Sequence, residues 1–168
     1  MSVIETPRLR LRWLQHADAA FILELLTVPQ FRTNVGDRGV HDLQSARRYI
    51  EEGPAASYRR FGFGLYAVEL KDAGVTVGLC GLLRRDSHPD VEIGFAMLPG
   101  ARRRGYTFEA AAATLEFAFN ELGLKRIVAI TAPHNGISMH ILQRLGMRPE
   151  GRVHFTADGE SQLFGIER

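Results

Sequence analysis

The sequence predicts a mixed α/β fold, because strand-like and helix-like patterns both recur along the chain. Apolar and polar residues alternate from Arg8 to Arg12, as in a half-buried strand, whereas the apolar positions of residues 105–122 recur at helical spacing. The chain has 168 residues, of which 45% are hydrophobic and 24% charged. This size and composition suit one globular domain with a substantial core, so we expect residues 1–168 to form a single domain.

The N-terminal third is predicted to contain one strand and two helices. The strand covers residues 8–14, and a helix follows that starts near Asp18 and ends before Pro29. A polar loop over residues 34–39 then leads to a short helix over residues 42–53. The alternating arginines of the first strand are expected on its solvent face.

Three strands are predicted in the middle of the chain. Residues 64–70 and 75–83 flank the turn residues 71–74 and therefore indicate a hairpin. A second turn over residues 86–90 leads to a strand over residues 91–97. A tight turn joins antiparallel strands, so the two strands of this hairpin are expected to be antiparallel.

The C-terminal part is predicted to alternate helices with strands. A helix opens at Gly105 and ends at Gly123, which supplies a C-cap, and a buried strand follows over residues 126–131. A second helix starts at Asn135 and stops near residue 146. The final two strands flank Asp158-Gly159, a sequence typical of a hairpin turn.

Composition and charge exclude several classes of function. The net charge of +2 is small, and no basic stripe is interleaved with aromatic residues, so we expect no nucleic-acid partner. No apolar run approaches the ~20 residues that span a membrane. No signal peptide is recognisable, so a cytoplasmic location is expected. The six histidines include no pair with metal-ligand spacing, and we expect no metal site.

A basic loop lies between the strand ending at Met97 and the helix that opens at Gly105. Its sequence is Arg102-Arg103-Arg104-Gly105-Tyr106-Thr107. The first amides of a helix lack intrahelical partners and lie at the positive end of its dipole, and a glycine lets the backbone approach a phosphate closely. The loop is neither a Walker sequence nor a dinucleotide fingerprint. It therefore predicts an anion site, with a solvated loop of surface arginines as the alternative.

This loop resembles the cofactor motif of the GNAT superfamily of N-acetyltransferases. The motif reads Gln/Arg-x-x-Gly-x-Gly/Ala, and Arg102, Gly105 and Thr107 stand at its three marked positions. Thr107 departs from the pattern because it is neither glycine nor alanine. Residues 5–12 resemble the start of the ribosomal-protein N-terminal acetyltransferase branch. So does the set formed by Asn135, Ser138, Leu142, Leu145, Gly146 and Met147.

The resemblance covers nearly the whole chain and implies a fold and a cofactor. The fold is a mixed, mostly antiparallel central sheet with helices on both faces and a V-shaped parallel splay in the middle. The splay opens between residues 91–97 and 126–131, and acetyl-CoA enters it as co-substrate. The implied pantetheine contacts are Phe95, Ala96, Met97, Asn135 and Ser138. The implied pyrophosphate contacts are Arg102, Arg103, Arg104, Gly105, Tyr106 and Thr107.

The resemblance also implies direct attack of an amine on the thioester, which needs a group to accept a proton. Glu92 is our first candidate for this base, with a salt-bridged surface carboxylate as the alternative, and His134 or water could serve instead. Many relatives carry a tyrosine at the position of Leu142. Ser138 is the hydroxyl available here to contact the sulfur, unless it only caps the helix. Asn135 could cap the helix, bind pantetheine, or both.

The acceptor amine is not specified by any motif. A protein N-terminus and a small amine, such as a polyamine or an aminoglycoside, are both open, and acidic groups in the pocket would favour the polycations. The missing tyrosine also leaves open an inactive acyl-CoA-binding regulator. Cys80 lies in an apolar strand and is expected to be inert. The resemblance allows a homodimer and gives no reason to expect a membrane partner.

Overall fold

The computed structural model describes residues 2–156 and 159–168. Its centre is an eight-stranded sheet with the strand order β1-β2-β3-β4-β5-β6-β8-β7. Neighbouring strands are antiparallel except for β5 and β6, which are parallel. The strands are β1 (Ser2–Glu5), β2 (Leu9–Trp13), β3 (Leu65–Leu70), β4 (Thr76–Leu83), β5 (Val91–Met97), β6 (Arg126–Thr131), β7 (Arg148–Thr156) and β8 (Gly159–Glu167).

Helices cover both faces of this sheet, which confirms the predicted fold class. One face packs against α5 through buried residues such as Ala111 and Leu115. The other face packs against α1 and α3 through residues such as Ile22 and Ala46. None of the helices in the described ranges is both long and apolar enough to cross a membrane. The helices are α1 (Ala19–Thr27), α2 (Pro29–Asn34), α3 (Leu43–Ile50), α4 (Ala56–Phe61), α5 (Tyr106–Asn120) and α6 (Gly136–Arg144).

The N-terminal half contains three elements that the sequence patterns did not predict. β1 precedes the predicted first strand and pairs with it. The first helix ends before Pro29, as predicted, but Pro29 is also the first residue of α2, a position where its missing amide costs nothing. Helical structure also continues past Gly53, because Pro54 lies in a wide turn over Glu51–Ala55 that leads into α4.

The C-terminal elements follow the prediction closely. α5 begins directly after Gly105, and β6 and α6 occupy the predicted segments. β7 and β8 pair antiparallel, as expected for a hairpin. The predicted turn itself includes Asp158, which lies outside the described residues.

Candidate active site

The two parallel strands separate along their length and leave a V-shaped gap. β5 and β6 pair only at Val91–Ile127 and Glu92–Val128. Beyond these pairs β6 bonds to β8 on its other side, and β5 bonds to β4. The C-terminal half of β5 therefore has one edge without a strand partner, as the predicted splay requires.

The alternation of hydrogen bonds shows which backbone groups face this gap. The Leu98 amide donates to the Val77 carbonyl at 2.8 Å, and the antiparallel register then pairs Ala96 with Leu79. The amides and carbonyls of Phe95 and Met97 consequently point away from β4, towards the gap. Ala96 was expected to contact pantetheine, but its backbone is bonded to β4. Only its small side chain can line the site.

The basic loop forms the start of α5, and its backbone is shaped for an anion. Gly105 has φ of 81°, a conformation that favours glycine, and Arg103 has φ of 62°. The Glu109 amide is the first to make the helical bond, donating to the Gly105 carbonyl at 3.1 Å. Among the described residues, no acceptor bonds the preceding amides of Tyr106 and Thr107. These amides are thus available to a ligand.

Arg8, which directly precedes β2, contacts this loop and the first turn of α5. Its Nε lies 2.7 Å from Glu109 Oε2, its Nη1 donates to the Arg104 carbonyl at 2.9 Å, and its guanidinium lies 4.6 Å from the centre of the Tyr106 ring. Thr6 Oγ1 donates to Glu109 Oε1 at 2.7 Å. Burial disfavours the charged form of Glu109, but the hydrogen bonds from Thr6 and Arg8 outweigh it and lower the pKa of Glu109. Arg8 therefore does not belong to a purely solvated strand face, as the alternation suggested.

The three loop arginines are placed differently. Arg102 donates to the Gln30 side chain of α2 and lines a small pocket beside β5. Arg103 and Arg104 have exposed side chains. Their charges surround the free amides, so the loop combines backbone donors with positive charge.

Two adjoining cavities connect the loop with the opposite side of β5. The smaller, of about 120 Å³, includes Met97, Arg102 and Thr107. The larger, of about 400 Å³, extends towards α3 and β8. A ligand can therefore run from the loop, along the free edge of β5, to a second chamber. Residues that line both cavities are Phe31, Asn34, Val35, Phe95, Ala96, Asn135 and Ser138.

Residues 92–96 of β5 all line the larger cavity, and strand alternation places Glu92, Gly94 and Ala96 on one face of β5. The Glu92 side chain is only 7% exposed and is paired with Arg85. Arg85 Nε lies 2.8 Å from Glu92 Oε2, whereas its Nη2 is 3.5 Å from Oε1. Glu92 is therefore salt-bridged, but it is buried and lines the cavity instead of lying on the surface.

The start of α6 shows which of Asn135 and Ser138 caps the helix. Asn135 Oδ1 accepts from the Ser138 amide at 3.2 Å, so Asn135 is the cap. The Ser138 side chain is not the cap, and it borders both cavities. Leu142 is buried and lines the larger cavity, so no hydroxyl is supplied at that position. His134 Nε2 lies 3.0 Å from Asn34 Oδ1, across the mouth between β6 and α2.

The residues of the larger cavity that sequence reasoning missed include Arg38, Tyr49 and Arg85. Tyr49 lies in the helix predicted over residues 42–53, and the two arginines lie in loops that follow no motif. Burial raises the pKa of Tyr49, against the opposing positive charges of Arg38 and Arg85. Tyr49 is therefore a neutral hydroxyl group in this cavity.

Cys80 lies away from both cavities. It is fully buried on β4 and contacts Thr114 Oγ1 at 3.4 Å. Burial raises the pKa of the Cys80 thiol to about 12, so the reactive thiolate is scarce. Across the described ranges, no group of three His, Cys, Asp or Glu side chains could hold a metal ion.

Comparison with known proteins agrees with this geometry. Residues 8–148 match the family described as "Acetyltransferase (GNAT) domain". The chain is 31% identical to the uncharacterized N-acetyltransferase YjdG of Bacillus subtilis over 87% of this chain and 89% of that protein.

Solved structures give the same result. A crystal structure of an acetyltransferase from Agrobacterium tumefaciens matches with a TM-score of 0.86 and 28% identity, over 100% of this chain and 95% of that one. RimJ of Mycobacterium smegmatis, solved in complex with a CoA-disulfide, has a TM-score of 0.80 and 22% identity, over 95% of this chain and 81% of its own. At that identity the likeness to RimJ concerns the fold.

Proposed function

The chain belongs to the acetyltransferase (GNAT) domain family and is an acyl-CoA-dependent N-acetyltransferase, and we propose that its acceptor amine attacks the thioester directly in a ternary complex. The observation that carries this proposal is the pair of adjoining cavities on either side of the free edge of β5. Two chambers that meet at one strand can hold both substrates at once. No acyl-enzyme is then needed, and the only cysteine is buried elsewhere.

The cofactor side of the site follows from the donors that remain free. The amides of Tyr106 and Thr107, with the charge of Arg102, Arg103 and Arg104, would bind the pyrophosphate of acetyl-CoA. The outward amides of Phe95 and Met97 would bond the carbonyl groups of the pantetheine arm and of the thioester. Polarising the thioester carbonyl through a backbone amide would stabilise the charge that develops during attack.

Glu92 is proposed to accept the proton of the acceptor amine. Arg85 contacts Glu92 Oε2 closely, whereas the longer contact to Oε1 leaves that oxygen able to accept from the amine. The small residues Gly94 and Ala96 leave space for the amine beside it. Ser138, which borders both cavities, would donate a hydrogen bond to the departing sulfur. His134 or water remains the alternative base.

A protein N-terminus is the acceptor we propose, on the strength of the motifs at residues 5–12 and 135–147. The larger cavity, of about 400 Å³, has room for the first side chain of such a chain as well as its amine. All eight strands join one sheet, so we treat residues 1–168 as one catalytic domain.

An acetyl-CoA consumption assay tests this function. Release of the CoA thiol is followed with short peptides, polyamines and aminoglycosides, and mass spectrometry identifies each acetylated product. We expect turnover of at least one peptide N-terminus. Turnover of polyamines alone would contradict the proposed acceptor, and tight acetyl-CoA binding without turnover of any amine would favour an inactive regulator.

A further inference from the structure

The larger cavity has more positive than negative charge on its wall. Within the described ranges, Arg32 and Arg38 have no acidic partner, because no ion pair is found for either. Both glutamates of the wall are neutralised, Glu92 by Arg85 and Glu160 by Arg152 at 3.3 Å. The charged residues that line the cavity are Arg32, Arg38, Arg85, Glu92 and Glu160.

Three residues that line this cavity have unused hydrogen-bond donors. The Tyr49 hydroxyl makes no hydrogen bond to another described residue. Arg38 uses Nη2 for the Val35 carbonyl, at 3.0 Å, and keeps its Nε and Nη1. Arg85 uses Nε and Nη2 for Glu92 and keeps Nη1. Both guanidinium groups lie near enough to Tyr49 for their charge to oppose the rise that burial causes in its pKa.

We propose that Arg38, Tyr49 and Arg85 form an anion subsite that binds a carboxylate or phosphate carried by the acceptor, while the acceptor amine lies at Glu92. Planar guanidinium groups and a neutral hydroxyl are donors suited to such an anion. The inference rests on the proposed function, because it names the class of amine that the same cavity takes. It disfavours polyamines and aminoglycosides, whose extra charges would meet unpaired arginines.

The test compares acceptors that differ only in one negative charge. One pair is a free amino acid and its C-terminal amide, and the other is two peptides with the same first residue and either glutamate or glutamine second. We expect the anionic member of at least one pair to have a kcat/KM at least tenfold higher, which is ~1.4 kcal/mol. The preferred pair identifies whether the anion is an α-carboxylate or a peptide side chain. The preference should fall with added salt.

Variants test whether the subsite causes the preference for the anionic acceptor. Arg38→Gln should reduce it at least fivefold without changing the KM for acetyl-CoA, and Tyr49→Phe should reduce it less. Arg47→Gln, on the exposed side of α3, is the matched control and should leave it unchanged. Loss of the preference in the control as well would overturn the assignment.

Binding is measured separately from turnover, so that the two proposals can fail independently. Calorimetry follows each acceptor added to the enzyme saturated with CoA, which has no acetyl group to transfer. Equal affinity and equal kcat/KM for charged and uncharged partners would overturn the anion subsite, even if amines are acetylated. A charge preference in binding without turnover of any amine would retain the subsite and contradict the proposed function.

Discussion

Gly105→Val tests the anion loop. Gly105 has φ of +81°, where a side chain is strained, and a Cβ there would lie 3.3 Å from Arg8 Nη2. The backbone strain is about 1–2 kcal/mol, and the larger valine side chain would also press on the Arg8 contact. Displacing the loop moves the free amides of Tyr106 and Thr107. We expect acetyl-CoA affinity to fall at least tenfold, ~1.4 kcal/mol.

Gly123→Val is the matched control for this experiment. Gly123 follows the other end of α5, has φ of +68°, and a Cβ there would meet nothing within 4 Å. Both variants should lose comparable stability in thermal unfolding, but only Gly105→Val should bind acetyl-CoA more weakly in calorimetry. A folded Gly105→Val protein with wild-type affinity would refute the assignment of the loop to the phosphates.

Three further substitutions test the rest of the site. Arg8→Ala should raise the KM for acetyl-CoA several-fold with little change in kcat. Arg10→Ala, which removes an arginine without the loop contact, should leave this KM unchanged. Equal effects of the two variants would contradict the role of Arg8 in positioning the loop. Glu92→Gln should lower kcat roughly 10²-fold. The loss of kcat should be smaller at high pH, where the amine is already neutral. A wild-type kcat at every pH would mean that another group is the base. Cys80→Ala should keep its turnover in the same assay, and a loss of turnover with normal stability and acetyl-CoA binding would point to an acyl-enzyme.

The parts of the site that were predictable from sequence depend on local geometry. A strand has a period of two, so the shared face of Glu92 and Ala96 follows from the sequence alone. A glycine after a basic run likewise indicates the start of α5. The same local reasoning placed the end of α1 before Pro29 correctly but did not predict α2, because a proline can follow one helix and begin the next.

Contacts between distant segments could not be predicted in this way. Arg8 and Glu109 are 101 positions apart, and only the packing of β2 beside α5 brings them together. The cluster of Arg38, Tyr49 and Arg85 joins two loops and a helix, and no motif links these three segments in the sequence. Which of Asn135 and Ser138 caps α6 was decided by one hydrogen bond, which needs coordinates to detect.

Bisubstrate kinetics measure the central claim most directly. Initial rates are recorded while the concentrations of acetyl-CoA and of an accepted amine are both varied. In parallel, the mass of the intact protein is measured by mass spectrometry after incubation with acetyl-CoA alone. Direct transfer between the two cavities predicts intersecting double-reciprocal lines and an unmodified protein. Parallel lines, together with an acetylated protein that passes its acetyl group to the amine, would contradict it.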